Sequence, residues 1–475
     1  MYHTVLKEKL KEMKKFLMRA GKTPFQSNTA LEVMNKNLIG SNVGNLIYQN
    51  SIYRTLQTDN VIIEPDDYKI NPDKAAEINE QYDGYIIPLA DAFRTDFVST
   101  LENYTKLINR LTIPVYVIGV GLRAPFEPKL NEGFAFDETV KEFIKAVLNH
   151  SNIIGLRGQI TSDYLTRLGF KEGIDHHVIG CPSMYTFGPD LIIRDTVINK
   201  DSKVAINNSR LSPENLLKFL ERSQREFNDI TFIPQWMKEL KLTYYGGPDI
   251  DNKDQLTYPT SLTHRLYQED KVNYFLSAHD WIEFLRTVDL SFGARLHGNI
   301  TATIAGTPSI LFPKDARMRE LAEYHQLTHV MANEVTDDTT IFDLIEQVDF
   351  HSPEKMQKRN FNNYIDFLNK NDLDHIYNYG GKTDFDSKVV NSEIVHPIIA
   401  VSPTEQTKRL QQLHSTPVKS KSKTEAKLTA ELKKIKQQNK QLKDELNFKN
   451  ATLNRRSVKS ALSLADKVSQ LKNRK

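Results

Sequence analysis

Short, wholly apolar runs alternate with amphipathic stretches along most of the chain, and this alternation restricts the fold more than any other feature. The runs lack the polar positions of a strand with one face in water, so they predict strands buried on both faces. Such strands belong to parallel sheets covered by helices on each side. In the first half they lie at residues 61–63, 85–88, 114–118, 153–156 and 177–179, with helical patterns at 97–110, 137–149 and 161–168.

A second series of the same kind begins near residue 203. Its predicted strands lie at 204–206, 230–233, 288–291 and 309–312, and its clearest helices at 279–287, 299–305, 317–325 and 353–370. The sequence therefore predicts an α/β protein with two doubly wound, Rossmann-like domains, over residues 31–198 and 199–380, that face each other across a cleft. Ligands of such sheets bind at the carboxyl ends of the strands, so this cleft is the expected site.

The two ends of the chain lack this alternation. Residues 1–30 predict a basic amphipathic helix, which either packs on the body or touches an anionic membrane surface. Residues 381–424 are polar and basic, which predicts a flexible linker. Residues 425–475 predict a basic coiled-coil tail. Its heptad positions are Leu428, Leu432, Ile435, Asn439, Leu442, Leu446 and Leu453.

The tail also suggests how the chain associates. Asn439 is a polar residue at a core position of the heptads, which is typical of a parallel dimer with a fixed register. A homodimer through the tail is therefore expected, and a lone solvated helix is the alternative.

Charge is divided unevenly between the body and the tail. Residues 404–475 hold 19 basic and 6 acidic side chains, so the 63 basic and 60 acidic residues of the chain leave an acidic body of 44 basic and 54 acidic residues. The basic tail favours peripheral contact with the anionic inner face of a membrane. Nucleic acid is disfavoured as a partner, because no recognised module or aromatic platform accompanies the charge.

The number of cysteines and the spacing of the histidines indicate which bonds and metal sites the chain can form and which cellular compartment suits it. Cys181 is the one cysteine, which excludes an intramolecular disulfide and fits a reducing cytoplasm. The histidines lack ligand spacing with acidic residues, so no metal site is expected. No apolar run approaches the roughly 20 residues that span a bilayer, so we expect a cytoplasmic protein that is soluble or peripheral.

The segment around Arg295 and His297 carries the strongest chemical signal. It is predicted to run from a strand through a turn at Gly298 into a helix, so that Arg295 and His297, two residues apart, project to the same side. A helix N-terminus beside a strand end attracts anions, and a guanidinium with an imidazole there forms an anion site with a proton donor. Taken alone, the pair is more often a structural hydrogen-bonding pair.

Further cations follow other predicted strands. Lys314 and Arg317 come after the strand at 309–312, Arg157 ends the strand at 153–156, and Arg123 follows a glycine-rich turn. Basic groups gathered at one cleft of an acidic body indicate a receptor for a small ligand with several negative charges. Arg319 is instead expected to form a surface ion pair with Glu323 at i,i+4.

Several motifs occur in a recognisable order. Residues 293–300 read Gly-Ala-Arg-Leu-His-Gly-Asn-Ile, followed by Ala-Gly-Thr-Pro at 305–308 and Lys-Asp-Ala-Arg at 314–317. Upstream stand Asn-Val-Gly-Asn at 42–45 and Gly-Leu-Arg-Gly at 155–158. Together these motifs resemble the polysaccharide pyruvyl transferase family over roughly residues 35–330. Two positions depart from its pattern: Asn45 where the early motif usually has Asp, and Cys181 where Asp commonly precedes Pro182.

The resemblance implies a fold like that of GT-B glycosyltransferases and transfer of pyruvate from phosphoenolpyruvate to a sugar of a surface polysaccharide, as a ketal. Phosphoenolpyruvate is then the donor substrate, no cofactor is needed, and the acceptor is a sugar or a lipid-linked oligosaccharide. His297 is the expected proton donor and Arg295 the anion clamp. The expected substrate-binding residues are Arg157, Lys314, Arg317, Arg123, Asn299, Gly298, Asn42 and Asn45.

Two other functions fit the same architecture. A GT-B glycosyltransferase that uses a nucleotide sugar would share it, because one fold serves many chemistries. A non-catalytic glycan-assembly scaffold is the other alternative, although a scaffold does not need Arg157, Arg295 and His297 together.

Overall fold

The strands of the protein form parallel sheets. The computed structural model describes residues 13–250, 257–390 and 396–415, together with the single positions 447, 451, 459 and 460. The strands within these ranges are β1 (Lys14–Met18), β2 (Val61–Pro65), β3 (Gly84–Pro88), β4 (Val115–Ile118), β5 (Ile154–Leu156), β6 (His176–Val178), β7 (Lys203–Asn207), β8 (Asp229–Phe232), β9 (Leu290–Gly293) and β10 (Ser309–Leu311).

Helices connect these strands and continue beyond the last one. They begin and end as follows: α1 (Ala30–Lys36), α2 (Gly44–Leu56), α3 (Ala75–Gln81), α4 (Val98–Ile108), α5 (Asp137–Leu148), α6 (Gln159–Arg167), α7 (Glu214–Ser223), α8 (Met237–Tyr245), α9 (Arg265–Gln268), α10 (Ala278–Arg286), α11 (Leu296–Ile304), α12 (Ala316–His325), α13 (Ile341–Gln347), α14 (Ser352–Lys370), α15 (Phe385–Val390) and α16 (Pro403–Ser415). The described part of the chain contains no helix long and apolar enough to cross a membrane.

The two main sheets share one strand order. The first runs β2-β1-β3-β4 and the second β8-β7-β9-β10, and every pairing is parallel. A bridge between Val120 and Leu156 links the first sheet to the parallel pair β5-β6. In each sheet the second strand in chain order lies on one side of the first strand, and the third strand lies on the other side. This reversal of the strand order creates a switch point between the carboxyl ends of β1 and β3, and another between those of β7 and β9. The prediction of a mixed α/β fold with parallel sheets is thus confirmed.

Both faces of the strands are buried, as the absence of polar alternation predicts. Phe16 and Met18 of β1 pack into one hydrophobic cluster, whereas Leu17, which points the other way, packs into a second. In β7, Val204 belongs to a third cluster and Ala205 to the first. The first cluster therefore joins side chains from both sheets, and its burial of apolar surface is the main force that holds them together.

The prediction of a helix over residues 1–30 is wrong for the part that the structure describes. Residues 14–18 form β1, which lies between β2 and β3. Lys14 and Lys15 at the start of the strand suggested an amphipathic helix. In the structure, Phe16 and Met18 are buried on one face of β1 and Leu17 on the other, and these residues pair with both β2 and β3. Pairing at the centre of a sheet outweighs the weak local preference. Residues 1–12 lie outside the described residues.

The prediction of a flexible linker over residues 381–424 also needs correction up to residue 415. Phe385 and Val389 of α15 are buried, and the Phe385 ring lies 5.1 Å from that of Phe25. Farther along, Ile398 forms two backbone hydrogen bonds with Tyr274, of 2.7 and 2.9 Å. A few apolar residues thus dock a segment whose overall composition is polar. The coiled coil predicted for 425–475 falls outside the described residues, single positions excepted.

Candidate active site

A cavity of about 1280 Å³ opens where the carboxyl ends of the two main sheets converge. Asp91 follows β3, Ser209 follows β7 and Arg295 follows β9, and all three line the cavity. Its position at both switch points is the one that the sequence predicts for a ligand site. Of the predicted site residues, the structure brings together Asn42, Asn45, Arg123, Arg157, Arg295, His297, Lys314 and Arg317 around this cavity.

The turn that presents Arg295 depends on a close backbone approach. Gly293 ends β9 with a φ of +148°, and a Cβ there would lie 1.7 Å from the carbonyl oxygen of Asn207. The helix α11 begins at Leu296, with Arg295 as its extended N-cap. The predicted turn at Gly298 is therefore wrong: Gly298 lies inside the first turn of α11, packed against Asn207. His297 consequently projects from the helix, and not from an extended segment.

Arg295 is held on three sides. Its guanidinium carbon lies 4.0 Å from the centre of the Trp236 ring, which is a close cation–π contact. Its Nε donates a 2.8 Å hydrogen bond to the carbonyl oxygen of Asn208, and one terminal nitrogen lies 3.3 Å from Glu239 Oε1. The side chains of Arg295 and Glu239 are only 8% and 1% exposed, so the pair is buried.

Glu239 is a supporting residue that the sequence reasoning missed. Its Oε2 accepts 2.7 Å hydrogen bonds from the backbone N–H groups of Gln235 and Trp236, and its Oε1 accepts from the Tyr258 hydroxyl. The carboxylate thus caps the start of α8 and fixes Arg295 at the same time. Glu239 lies within a helix and follows no predicted strand, so its sequence position offers no signal of this role.

His297 stands in the first turn of α11 against the start of α2. A Cβ on Gly44 would lie 2.7 Å from His297 Nδ1, so the glycine of the early motif permits this approach. The sulfur of Cys181 lies 3.9 Å from His297 Nε2. Burial, together with the positive charges of Arg157 and Arg317, lowers the pKa of His297 to about 3. The imidazole of the ligand-free protein is therefore neutral near pH 7.

Arg157 is almost fully buried, at 1% exposure, yet it lines the cavity. Its Nε donates a 2.8 Å hydrogen bond to the carbonyl oxygen of Gly119, and its guanidinium carbon lies 5.0 Å from the centre of the Tyr48 ring. One terminal nitrogen has no hydrogen-bond partner among the described residues. A buried guanidinium with a spare donor is a strong site for a carboxylate or phosphate oxygen.

Asp91 is a cavity residue that the sequence reasoning missed. Its Oδ2 lies 2.8 Å from Arg317 and 3.0 Å from Arg94. Burial would raise the pKa of Asp91, but Arg317, Arg94 and neighbouring arginines outweigh it and hold the pKa below its ordinary value. The signal was available, because Asp91 follows a predicted strand just as the cations do.

Lys314 and Arg123 are cavity cations with few partners of their own. The Lys314 ammonium donates a 3.2 Å hydrogen bond to the Ser212 hydroxyl. Burial and the charges of Arg295 and Arg317 lower the pKa of Lys314 to about 7, although Asp315 opposes them. Arg123 is exposed, and its side chain has no hydrogen bond or ion pair with the described residues. Both are therefore available to a ligand.

The amide residues of the predicted site have structural partners. Asn299 is buried behind the cavity wall, where its amide nitrogen donates to Asn207, Gly293 and Arg295. Asn299 and Gly298 are thus not placed to touch a ligand in the cavity. Asn42 and Asn45 line the cavity, but Asn42 accepts from the Gly44 backbone at 2.9 Å and Asn45 donates to Ile39 at 3.0 Å.

Glu320 joins elements from the two sheets behind the cations. It stands on α12, and its carboxylate accepts 2.9 Å hydrogen bonds from the backbone N–H and the hydroxyl of Thr161, in the first turn of α6. Burial raises the pKa of Glu320 to about 7, although the hydrogen bonds from Thr161 lower it.

Among the described residues, no three His, Cys, Asp or Glu side chains are grouped as a metal site. Arg319 forms the expected pair with Glu323, at 3.5 Å.

The motifs that surround the cavity also match a known family. The family model for polysaccharide pyruvyl transferases covers residues 42–315, which is more than half of the chain. The chain belongs to this family. A polysaccharide pyruvyl transferase is a transferase, so the protein is an enzyme by family. Among curated proteins, none matches the chain.

Solved structures share only a distant likeness with this pyruvyl transferase family member. A UDP-GlcNAc 2-epimerase from Neisseria meningitidis is 11% identical over 75% of this chain and 100% of its own, with a TM-score of 0.40. A putative UDP-N-acetylglucosamine 2-epimerase from Listeria monocytogenes is 12% identical over 74% and 95%, with a TM-score of 0.39. An Anabaena protein crystallised with UDP and glucose is 14% identical over 85% and 100%, with a TM-score of 0.35. Scores of this size do not establish a common fold.

Proposed function

We propose that this protein transfers pyruvate from phosphoenolpyruvate to two hydroxyls of a sugar, forming a ketal and releasing phosphate. One observation carries the proposal: His297 stands at the carboxyl-end cavity beside Arg157 and Arg317, whose charges add to burial in lowering its pKa. Phosphoenolpyruvate carries a carboxylate and a phosphate, and therefore needs at least two cationic clamps. Arg157 and Arg295 are the leading clamps, supported by Lys314 and Arg317.

The donor is activated by a proton. Protonation of its methylene carbon places positive character on the central carbon, where a sugar hydroxyl attacks and loses its own proton to a base. A second hydroxyl then displaces phosphate and closes the ring, and its proton leaves with the phosphate or to solvent. The first turn of α11 supplies backbone N–H groups without helix partners, which suit the anionic groups of the donor.

His297 is the proposed source of the methylene proton. In the ligand-free protein it is neutral near pH 7, because burial and two arginines lower its pKa. A bound donor would offset the charges of Arg157 and Arg317, so we expect the pKa of His297 to rise on binding. Donor binding would thereby take up a proton, and the acid would form only when its substrate is present.

Calorimetric titration of the full chain tests the donor. We expect phosphoenolpyruvate to bind with proton uptake that varies with the buffer, and a nucleotide sugar such as UDP-glucose not to bind in its place. His297→Ala should retain phosphoenolpyruvate binding but lose the proton uptake. His396→Ala, at an exposed position outside the cavity, is the matched control and should behave as wild type.

The product is tested in cells. Mass spectrometry of the surface polysaccharide should show a pyruvate ketal that disappears when the gene is deleted, returns with wild type and does not return with His297→Ala. An unchanged ketal content with His297→Ala would reject the acid assignment. Binding of UDP-glucose without phosphoenolpyruvate binding would reject the donor.

The wider arrangement belongs to the same proposal. Two doubly wound halves facing one cavity, as in GT-B enzymes, are supported by the identical strand order of the sheets and by the cavity at their carboxyl ends. A cytoplasmic enzyme that dimerises through residues 425–475, and whose basic tail touches the inner membrane face, would stand close to lipid-linked acceptors.

A further inference from the structure

A second, small cavity of about 30 Å³ is lined by residues of α2 and of the start of α10. Among the described residues, it shares no lining residue with the cavity at the strand ends. One buried water needs about 10–15 Å³ of such space, so this cavity has room for about two waters or one small ion. Its polar lining includes Lys22, Gln49, Asn50, Ser277, Ala278 and His279. We call it the α10 cavity.

Lys22 is a buried cation at this cavity. The residue is only 7% exposed, and within the described ranges its ammonium forms no hydrogen bond and no ion pair. Burial lowers the pKa of Lys22 to about 8, although the carboxylates of Asp280 and Glu32 oppose this. The ammonium therefore remains charged near pH 7. Because burial of a charge without a partner is unfavourable, Lys22 indicates an anionic ligand.

Two buried amides line the same cavity with unused hydrogen-bonding groups. Asn50 is 8% exposed, and its side chain forms no hydrogen bond in the part of the chain that the structure describes. Gln49 is 3% exposed, and its amide nitrogen donates to the Tyr68 hydroxyl, whereas its Oε1 has no partner among the described residues. Buried polar groups are nearly always hydrogen-bonded, so these amides indicate a polar occupant.

The start of α10 supplies further donors. Ser277 is the N-cap, and its hydroxyl accepts a 3.3 Å hydrogen bond from the N–H of Asp280. The backbone N–H groups of Ala278 and His279 donate no hydrogen bond to the described residues. Such N–H groups and the helix dipole favour an anion, and the buried Lys22 adds a full positive charge beside them.

Asp280 is an acid near this cavity that does not neutralise Lys22. No ion pair joins the two side chains within the described ranges, and Asp280 Oδ2 is buried without a hydrogen-bond partner there. Burial raises the pKa of Asp280, although two histidines and Lys22 oppose it. An ammonium and a carboxylate that only waters bridge are therefore the alternative that an experiment has to exclude.

We propose that the α10 cavity binds a small monovalent anion of the size of bicarbonate or chloride. Lys22 and Asn50 donate to it from the first half of the chain, and the N–H groups at the start of α10 donate from the second. Bicarbonate can also donate its proton to Gln49 Oε1, so we expect it to bind more tightly than chloride. Because the ligand binds only the folded chain, it should raise the unfolding temperature. This inference does not depend on the proposed function.

Thermal unfolding of the full chain near pH 7, at constant ionic strength, tests the site. Gluconate is the reference anion, because it is too large for a cavity of about 30 Å³. We expect the unfolding temperature to rise with the concentration of bicarbonate and, less steeply, of chloride. Lys22→Met should weaken the affinity obtained from this rise about tenfold or more. Lys314→Met, which removes a buried lysine with a lowered pKa from the active-site cavity, is the matched control and should keep the response.

Asp280→Asn tests the electrostatics in the opposite direction, and it suffices if Lys22→Met does not fold. The substitution removes a negative charge near the anion, so bicarbonate should bind more tightly. Weaker binding in Asp280→Asn would overturn the inference. Equal unfolding temperatures in gluconate, chloride and bicarbonate would also overturn it, because water alone would then fill the cavity. A response that is lost in Lys314→Met and kept in Lys22→Met would assign the anion to the active site and reject the α10 cavity.

Discussion

Replacing Glu239 with glutamine should destabilise the protein by about 3–5 kcal/mol, because it leaves Arg295 as a buried charge without its partner. The side chains of Glu239 and Arg295 are 1% and 8% exposed, so water cannot replace the lost carboxylate. Glutamine also offers one acceptor oxygen where Glu239 uses two, for the backbone of Gln235 and Trp236 and for Tyr258. The expected loss is a large part of a total stability of about 5–15 kcal/mol.

Denaturant unfolding of the full chain measures this loss as a shift of the midpoint. The matched control is Glu269→Gln, which breaks a 3.0 Å pair between Glu269 and Arg265 whose side chains are 45% and 30% exposed. That surface pair should contribute only about 0–1 kcal/mol. The two substitutions remove the same charge from the same kind of pair, so burial and the additional hydrogen bonds of Glu239 separate their effects.

A double variant tests the electrostatic reasoning further. Glu239→Gln/Arg295→Met removes both charges of the pair, and it should lose less stability than Glu239→Gln alone because no unpaired charge remains buried. It should nevertheless lose affinity for phosphoenolpyruvate, since Arg295 is a proposed clamp. A Glu239→Gln loss below about 1 kcal/mol, equal to that of the surface control, would refute the reasoning.

Three further predictions concern the cations and His297. Arg157→Lys keeps a positive charge but loses the fork that binds both Gly119 and a ligand, so phosphoenolpyruvate affinity in calorimetry should fall about tenfold, or about 1.4 kcal/mol. Cys181→Asp places a carboxylate beside His297 and should raise the histidine pKa from about 3, as followed by NMR titration, whereas Cys181→Ser should not. Phosphoenolpyruvate affinity should decline as pH rises through about 7, because Lys314 then loses its charge, and Lys314→Arg should abolish this decline.

Each of these predictions has a contrary result. Equal donor affinity in wild type, Arg157→Lys and Arg157→Ala would show that Arg157 does not touch the donor. The same histidine pKa in Cys181→Asp and Cys181→Ser would show that position 181 does not control His297. A decline in affinity near pH 7 that persists in Lys314→Arg would assign the titration to another group.

Strand positions were predictable because burial on both faces leaves a plain mark in the sequence. The apolar run at 85–88 has no polar position, and it became β3, with both of its faces in hydrophobic clusters. β1 was not predicted, because its first two residues are lysines and nothing in the local sequence reveals that Phe16 pairs with two neighbouring strands. Pairing between residues that are distant in sequence is a tertiary property.

The cations of the cavity were predictable for a similar reason, since the carboxyl ends of parallel strands meet at one edge. Arg157, Arg295 and Lys314 follow three different strands and line one cavity. Glu239 was not predictable, because it lies within a helix and follows no strand, whereas the place of Asp91 after β3 was open to prediction. Asn299 was selected from its motif, but its amide serves the turn around Gly293.

The contact between Glu320 and Thr161 limits how the two halves of the chain can be exchanged between homologues. A carboxylate from α12 closes the first turn of α6, a helix that lies more than 150 positions earlier in the chain. A chimera that joins the first half of one homologue to the second half of another would leave this helix start without its acceptor unless both parents carry the pair. Recombination between relatives should therefore succeed only when the residues at positions 161 and 320 are exchanged as a unit.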